Sequence, residues 1–318
     1  MRVQGRPTNL RSVPGPSRET SDTPPAPSGG RSVLDRLDRI TNRAETHPEE
    51  FFNNLFSLLN YELLWYAFRK LQRDKAPGVD GVTVDQYEED LQSNLQDLLT
   101  RLHRGSYQPQ PSLRQDIPKG DGKTRPLGIA CVEDKIVQRA VVMILERIYE
   151  VDFCDTSYGF RPGRSCHGAL SVLGQIIATK KVNFILDADI AGFFDHVCHE
   201  KLVELLRQRI SDPQMLSLIE RFLKAGVMIA GRRQDTDEGV PQGSVLGERL
   251  AELQPANAIR AAGEAGRPAT VAPAVPRHAG EPGNRIGEGI PDPRCNVVAG
   301  QHAPHRPETL PASDRRRF

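Results

Sequence analysis

The residues best placed to do chemistry lie in the run Phe184-Ile185-Leu186-Asp187-Ala188-Asp189-Ile190-Ala191-Gly192-Phe193-Phe194-Asp195-His196. A short apolar stretch, Val182 to Leu186, reads as a buried β-strand that delivers carboxylates at its end. Such carboxylates suit Mg²⁺, which prefers oxygen ligands and shares its sphere with substrate phosphates. Two ions held this way could activate an attacking hydroxyl and stabilise a leaving pyrophosphate. The same acids could instead cap a turn, and the spacing of Asp189 and Asp195 is too common to decide between the two. Among other reactive groups, the five cysteines show no paired spacing, so neither a zinc site nor a disulfide framework is expected. His167, His196 and His199 also lack metal-ligand spacing.

Elements that could position the acids can be read from periodicity. Pro48 to Leu59 is predicted as a helix, with proline and acids at its positive end. Tyr61 to Leu71 continues in helical style, and Ala76 to Gly81 forms a turn. One helix is expected from Val84 to Arg104, ended by Gly105. Leu113 to Pro118 and Arg125 to Ile129 predict a hairpin. Val132 to Tyr149 and Cys166 to Ile177 read as helices, as do His199 to Arg209 and Pro213 to Ala225. A second hairpin is expected around Gly231-Arg232-Arg233. The class is α+β and helix-rich.

Charge is unevenly spread although the net charge is only +1. Arg101 to Arg125 carries six Lys or Arg against two acids, and Thr156 to Leu186 carries four bases and no acid. Both suit a phosphate backbone, or a solvated basic face. No apolar run is long enough to span a membrane, and the N-terminus is not a secretory signal, so a cytoplasmic protein is expected.

Around the Asp189 run, other blocks occur in a fixed order. They are Ala76-Pro77-Gly78-Val79-Asp80-Gly81, then Ile117-Pro118-Lys119 with Arg125-Pro126-Leu127-Gly128-Ile129, then Gly159-Phe160-Arg161-Pro162-Gly163-Arg164-Ser165, and finally Gly239-Val240-Pro241-Gln242-Gly243. The series resembles the reverse transcriptases of bacterial group II introns over Phe51 to Leu246. The resemblance implies a right-hand polymerase, with fingers and an incomplete palm over 76–247 and a helical extension over 32–75. It implies RNA-directed DNA synthesis, in which a primer 3′-hydroxyl attacks a deoxynucleoside triphosphate with Mg²⁺ as cofactor. The partners would be intron RNA, or an RNA template with a DNA primer. Asp189 would be a catalytic metal ligand, with the Ile190 backbone near the second ion. Lys119 and Arg125 would grip the triphosphate, Phe194 would stack under the sugar, and Gln242 would touch the nucleotide. Arg161 and Arg164 would track the nucleic acid.

The resemblance stops after Leu246. Family members carry an aromatic-x-Asp-Asp hairpin, and no Asp-Asp pair occurs in the 318 residues. Residues 248–318 contain 40 Ala, Gly, Pro or Arg among 71, no Lys, and Phe318 as the only aromatic. Together with residues 1–31, this segment is expected to be disordered. A change of reading frame near residue 247 is the expected origin, and polymerase activity is expected to be absent from this chain. The alternatives are a non-catalytic, maturase-like RNA binder and a remnant without function.

Overall fold

The computed structural model describes residues 32–253, except 119–121, 123, 186–189 and 191. Both expected disordered tails therefore lie outside the described residues, apart from the start of the C-terminal one. The elements are α1 (Val33–Thr46), α2 (Tyr61–Arg69), α3 (Val84–Glu88), α4 (Leu91–His103), β1 (Ser112–Pro118), β2 (Thr124–Ile129), α5 (Val132–Tyr149), α6 (Cys166–Thr179), α7 (His199–Arg207), α8 (Pro213–Leu223), β3 (Val227–Ile229) and β4 (Arg232–Gln234). A further helix, α9, covers residues 245–253. The architecture is α+β.

Helix α5 is the centre. Apolar residues occupy almost every face of it, from Val132 through Ile136, Val141 and Ile144 to Tyr149, and these are buried. A helix apolar on all sides needs neighbours on all sides, and α1 and α2 supply two of them. The N-terminus of α1 is held by Glu62 of α2, which accepts from the Val33 N–H at 2.8 Å and the Ser32 hydroxyl at 2.6 Å. The Ala76–Gly81 turn docks on the start of α5. Gly78 is required there, because a Cβ would stand 2.5 Å from the Cys131 nitrogen.

One sheet has the order β2-β1-β3-β4, antiparallel except for the parallel pair β1–β3. Its second hairpin turns at Ala230 (φ 48°) and Gly231 (φ 75°). Two positive φ values suit the twist of a two-residue hairpin. Arg232 and Arg233 consequently lie in β4 rather than in the turn.

Three sequence expectations need correction. Pro48 to Leu59 is not a helix: only Phe56–Leu58 forms a 3-10 turn. Tertiary pairing overrides helical periodicity there, because the Phe52 N–H bonds the Arg209 carbonyl at 2.7 Å and its carbonyl accepts from Ser211 at 2.9 Å. The single helix expected from Val84 to Arg104 is two, α3 and α4, broken where Asp90 leaves helical geometry at φ −122° and ψ 39°. The strand expected from Val182 is absent over 182–185, and Phe184 is 93% exposed. No neighbouring strand among the described residues pairs with this segment, so its backbone has no ladder to join. Leu186 lies outside the described residues.

Packing also continues beyond the boundary suggested by composition. Leu246, Leu250, Ala251 and Leu253 are buried, so α9 belongs to the folded body.

Candidate nucleotide site

The loop Gly239-Val240-Pro241-Gln242-Gly243 is stitched to two different parts of the fold. On one side, the Gln242 carbonyl accepts from the Gly128 N–H of β2 at 2.8 Å. Arg125, also on β2, donates from Nε to the Gln242 Oε1 at 2.9 Å. On the other side, the Gly239 N–H bonds the Val197 carbonyl at 2.8 Å, and the Val240 N–H bonds the Phe194 carbonyl at 2.7 Å. The ring of buried His199 meets the Gly239 carbonyl at 2.7 Å. The loop thus brings Arg125, Gln242 and Phe194 to one place, although 117 residues separate Arg125 from Gln242.

Glycines make this closeness possible. Gly239 has φ +84°, and a Cβ there would lie 2.8 Å from the Asp195 carbonyl oxygen. Gly243 has φ +87°, and a Cβ on Gly128 would lie 2.6 Å from the Pro241 Cβ. The left-handed conformation itself disfavours side chains at Gly239 and Gly243.

Phe194 is half-buried and stacks edge-on against Phe193, with ring centroids 5.6 Å apart. Gly192, at φ +63°, turns the chain into this pair. Ile190 is 62% exposed. Asp195 is exposed, and the neighbouring His196 meets Glu238 at 3.3 Å. Asp189 and Lys119 lie outside the described residues.

The underside of the loop contains groups that the sequence reading missed. Ser244 donates to the buried Gln138 of α5 at 3.0 Å and accepts from the Gly247 N–H at 3.1 Å. Glu248 accepts from the Gly243 N–H at 3.2 Å. Burial raises the Glu248 carboxyl above its ordinary value, while the Gly243 N–H and then Arg125 and Arg139 oppose that shift. Composition had assigned Glu248 to the tail. The signal that could have found it is its position in the first turn of a helix, where a carboxylate is favoured.

Arg161 is placed differently from expectation. Its guanidinium is buried, bonded to Glu150 at 2.8 Å and to the carbonyls of Cys154 at 2.8 Å and Ser157 at 2.9 Å. It lies over the Phe153 ring at 5.1 Å, and Arg249 lies over the same ring at 4.9 Å. A guanidinium with its donors committed inside the protein does not face a nucleic acid strand. Arg164 is more open, bonded to the Asp155 carbonyl at 2.7 Å and lying over Tyr158.

Among the described residues no group of three or more His, Cys, Asp or Glu could hold a metal ion.

A β-hairpin, a helix-bound loop and a glycine-lined junction thus meet around Arg125 and Gln242. The reverse transcriptase (RNA-dependent DNA polymerase) family profile matches residues 117–261. The protein YkfC of Escherichia coli is 41% identical over 229 residues, which is 70% of this chain and 60% of that protein. The group II intron-encoded protein LtrA of Lactococcus lactis is 36% identical over 219 residues, 68% of this chain and 36% of LtrA. The 91 kDa protein in the cob intron of Schizosaccharomyces pombe is 33% identical over 234 residues, 70% of this chain and 28% of that protein. The chain belongs to the group II intron reverse transcriptase and maturase family. It spans three-fifths or less of the length of these relatives. The family generally uses a divalent metal and acts on RNA. Among the described residues no helix is long and apolar enough to cross a membrane.

Proposed function

We propose that residues 76–247 carry the fingers and part of the palm of an RNA-directed DNA polymerase, with residues 32–75 as a helical extension. In the reaction, a DNA primer 3′-hydroxyl paired to an RNA template attacks the α-phosphorus of a deoxynucleoside triphosphate. One phosphorus–oxygen bond forms, the α–β bond breaks, and pyrophosphate leaves. The observation that carries this reading is the convergence of Arg125, Gln242 and Phe194 on one loop. Through Nε, Arg125 is oriented by Gln242, and no hydrogen bond among the described residues engages its terminal nitrogens. A planar fork fixed this way is suited to grip phosphate oxygens. Phe194 offers an aromatic surface for the sugar, and Gln242 an amide for the nucleotide. Lys119 would add charge to the triphosphate grip, and Arg164 would contact the strand. Mg²⁺ is the ion expected at Asp189 and the Ile190 backbone.

The chain by itself is proposed not to polymerise, because it supplies Asp189 without an Asp-Asp pair. Incorporation of labelled deoxynucleotide on a primed RNA template, abolished by Asp189→Ala, would overturn this. Nucleotide grip is tested separately by titrating the full chain with a fluorescent deoxynucleoside triphosphate. Arg125→Ala is expected to weaken binding about tenfold, the scale of one lost charge-assisted hydrogen bond. Unchanged binding would sink the assignment.

A further inference from the structure

The peptide unit between Gln242 and Gly243 is held from both sides. Its carbonyl accepts from the Gly128 N–H of β2 at 2.8 Å. Its N–H donates to the Oε1 of Glu248 on α9 at 3.2 Å. In a planar trans peptide the carbonyl and the N–H point in opposite directions, so partners on both edges fix the plane between them. That plane sets where the Gln242 side chain leaves the backbone. The Gln242 Oε1 is in turn the acceptor that orients Arg125, at 2.9 Å.

Glu248 reaches this peptide because of how α9 begins. Ser244 caps the helix: its hydroxyl accepts from the Gly247 N–H at 3.1 Å and donates to the buried Gln138 of α5 at 3.0 Å. The Glu248 N–H then bonds the Ser244 carbonyl at 2.9 Å. Side chains on a helix lean toward its N-terminus, so the half-buried Glu248 turns back over the cap to the loop. Burial pushes its carboxyl above the ordinary value, while the Gly243 N–H, Arg125 on β2 and Arg139 on α5 favour the ionised form. An ionised acceptor holds an N–H more firmly than a neutral one. Any acid in the first turn of α9 would suit the helix dipole, but the bond to Gly243 links this one to the site. Glu248 also lies past Leu246, beyond the blocks that single out the other site residues.

We propose that Glu248 is a positioning residue for the nucleotide grip: it fixes the peptide plane that aims Gln242 at Arg125. The inference rests on the nucleotide-site reading above. Glu248 acts through Gln242 rather than on the nucleotide.

The test titrates the full chain with a fluorescent deoxynucleoside triphosphate. Glu248→Met fills similar space without an oxygen acceptor and is expected to weaken binding about fivefold, the scale of one hydrogen bond. Glu248→Gln keeps an oxygen at the same reach and is expected to restore binding to within about twofold of the parent chain. In a Gln242→Ala background, Glu248→Met is expected to add little further loss, because the group it aims is already gone. Fully additive losses would point to a general effect on folding and overturn the proposal, as would parent-like binding by Glu248→Met. If circular dichroism shows Glu248→Met unfolded, Glu248→Asp takes its place. It keeps the charge but falls one methylene short of the Gly243 N–H, so weakened binding is expected and parent-like binding overturns the proposal. Arg125→Ala separates this inference from the reading it rests on. Weakened binding by Arg125→Ala beside parent-like binding by Glu248→Met overturns the positioning role alone, whereas parent-like binding by both overturns the nucleotide site as well.

Discussion

At Gly239 a positive φ and the approach of the Asp195 carbonyl act together, so no side chain fits without moving backbone. Gly239→Ala is expected to cost about 2 kcal/mol or more in a denaturant titration, since strain and close contact add. His199 meets the carbonyl of Gly239 itself at 2.7 Å. His199→Ala would leave a buried carbonyl without that donor, and a loss of about 1–3 kcal/mol is expected. If His199→Ala melts like the parent chain, the hydrogen bond contributes nothing to the loop. Arg161 is the residue at which type and role part most clearly. Arg161→Ala is expected to lower stability by about 2 kcal/mol, a figure discounted because Glu150 is partly exposed. It should leave the salt slope of RNA binding unchanged, whereas a true template contact would flatten it.

Among the elements, α5 carries a buried acid whose environment sets a pH dependence. Asp134, in its first turn, accepts from the Tyr107 hydroxyl and from the Gln110 N–H at 3.0 Å. Burial pushes its carboxyl up from 3.8 to about 6, with both hydrogen bonds opposing the shift. Because the folded value is the higher one, the folded state binds the proton more tightly. The stabilisation is fully present below about 3.8 and is lost as pH rises through about 6. Asp134→Asn is therefore expected to flatten the pH dependence of the unfolding midpoint across that window. An unaltered profile would show that another group governs it. Glu252 on α9 shifts in the same direction, pushed up to about 7 by burial while Arg249 and Arg161 oppose. Docking of α9 on the Gly159–Arg161 segment is thus expected to tighten as the solution becomes mildly acidic. The close approach explains why: a Cβ on Gly159 would meet the Glu252 carboxylate at 2.5 Å.

At the scale of the molecule, the main liability is an apolar surface that no described residue covers. Helix α6 contains no charged residue, yet Ala169 is its only buried side chain. Leu170, Ile177, Phe184, Ile185 and Ile190 extend the exposed area. Exposed apolar area next to unpaired extended backbone favours self-association. The chain is expected to show mass growing with concentration in light scattering, and Phe184→Asp should reduce that growth. A monodisperse parent chain that melts cooperatively would contradict the expectation.

Helix α5, the β1–β2 hairpin and helices α7 and α8 were legible because their signals are local: apolar period and turn residues act within a few positions. The family blocks likewise singled out Arg125, Phe194 and Gln242. Other features depended on distant partners. Phe52 abandons a helical pattern to pair with Arg209 and Ser211, and Val182 to Ile185 has strand-like residues but, among the described residues, no strand beside it. Arg161 is basic in a basic stretch, and only the packing of Phe153, Glu150 and Arg249 makes it internal. Glu248 gained its place under the loop from contacts that composition cannot register. Local propensity and residue type are properties of the chain itself, whereas hydrogen-bond satisfaction and burial are properties of pairs, and the pairs exist only once the fold has closed.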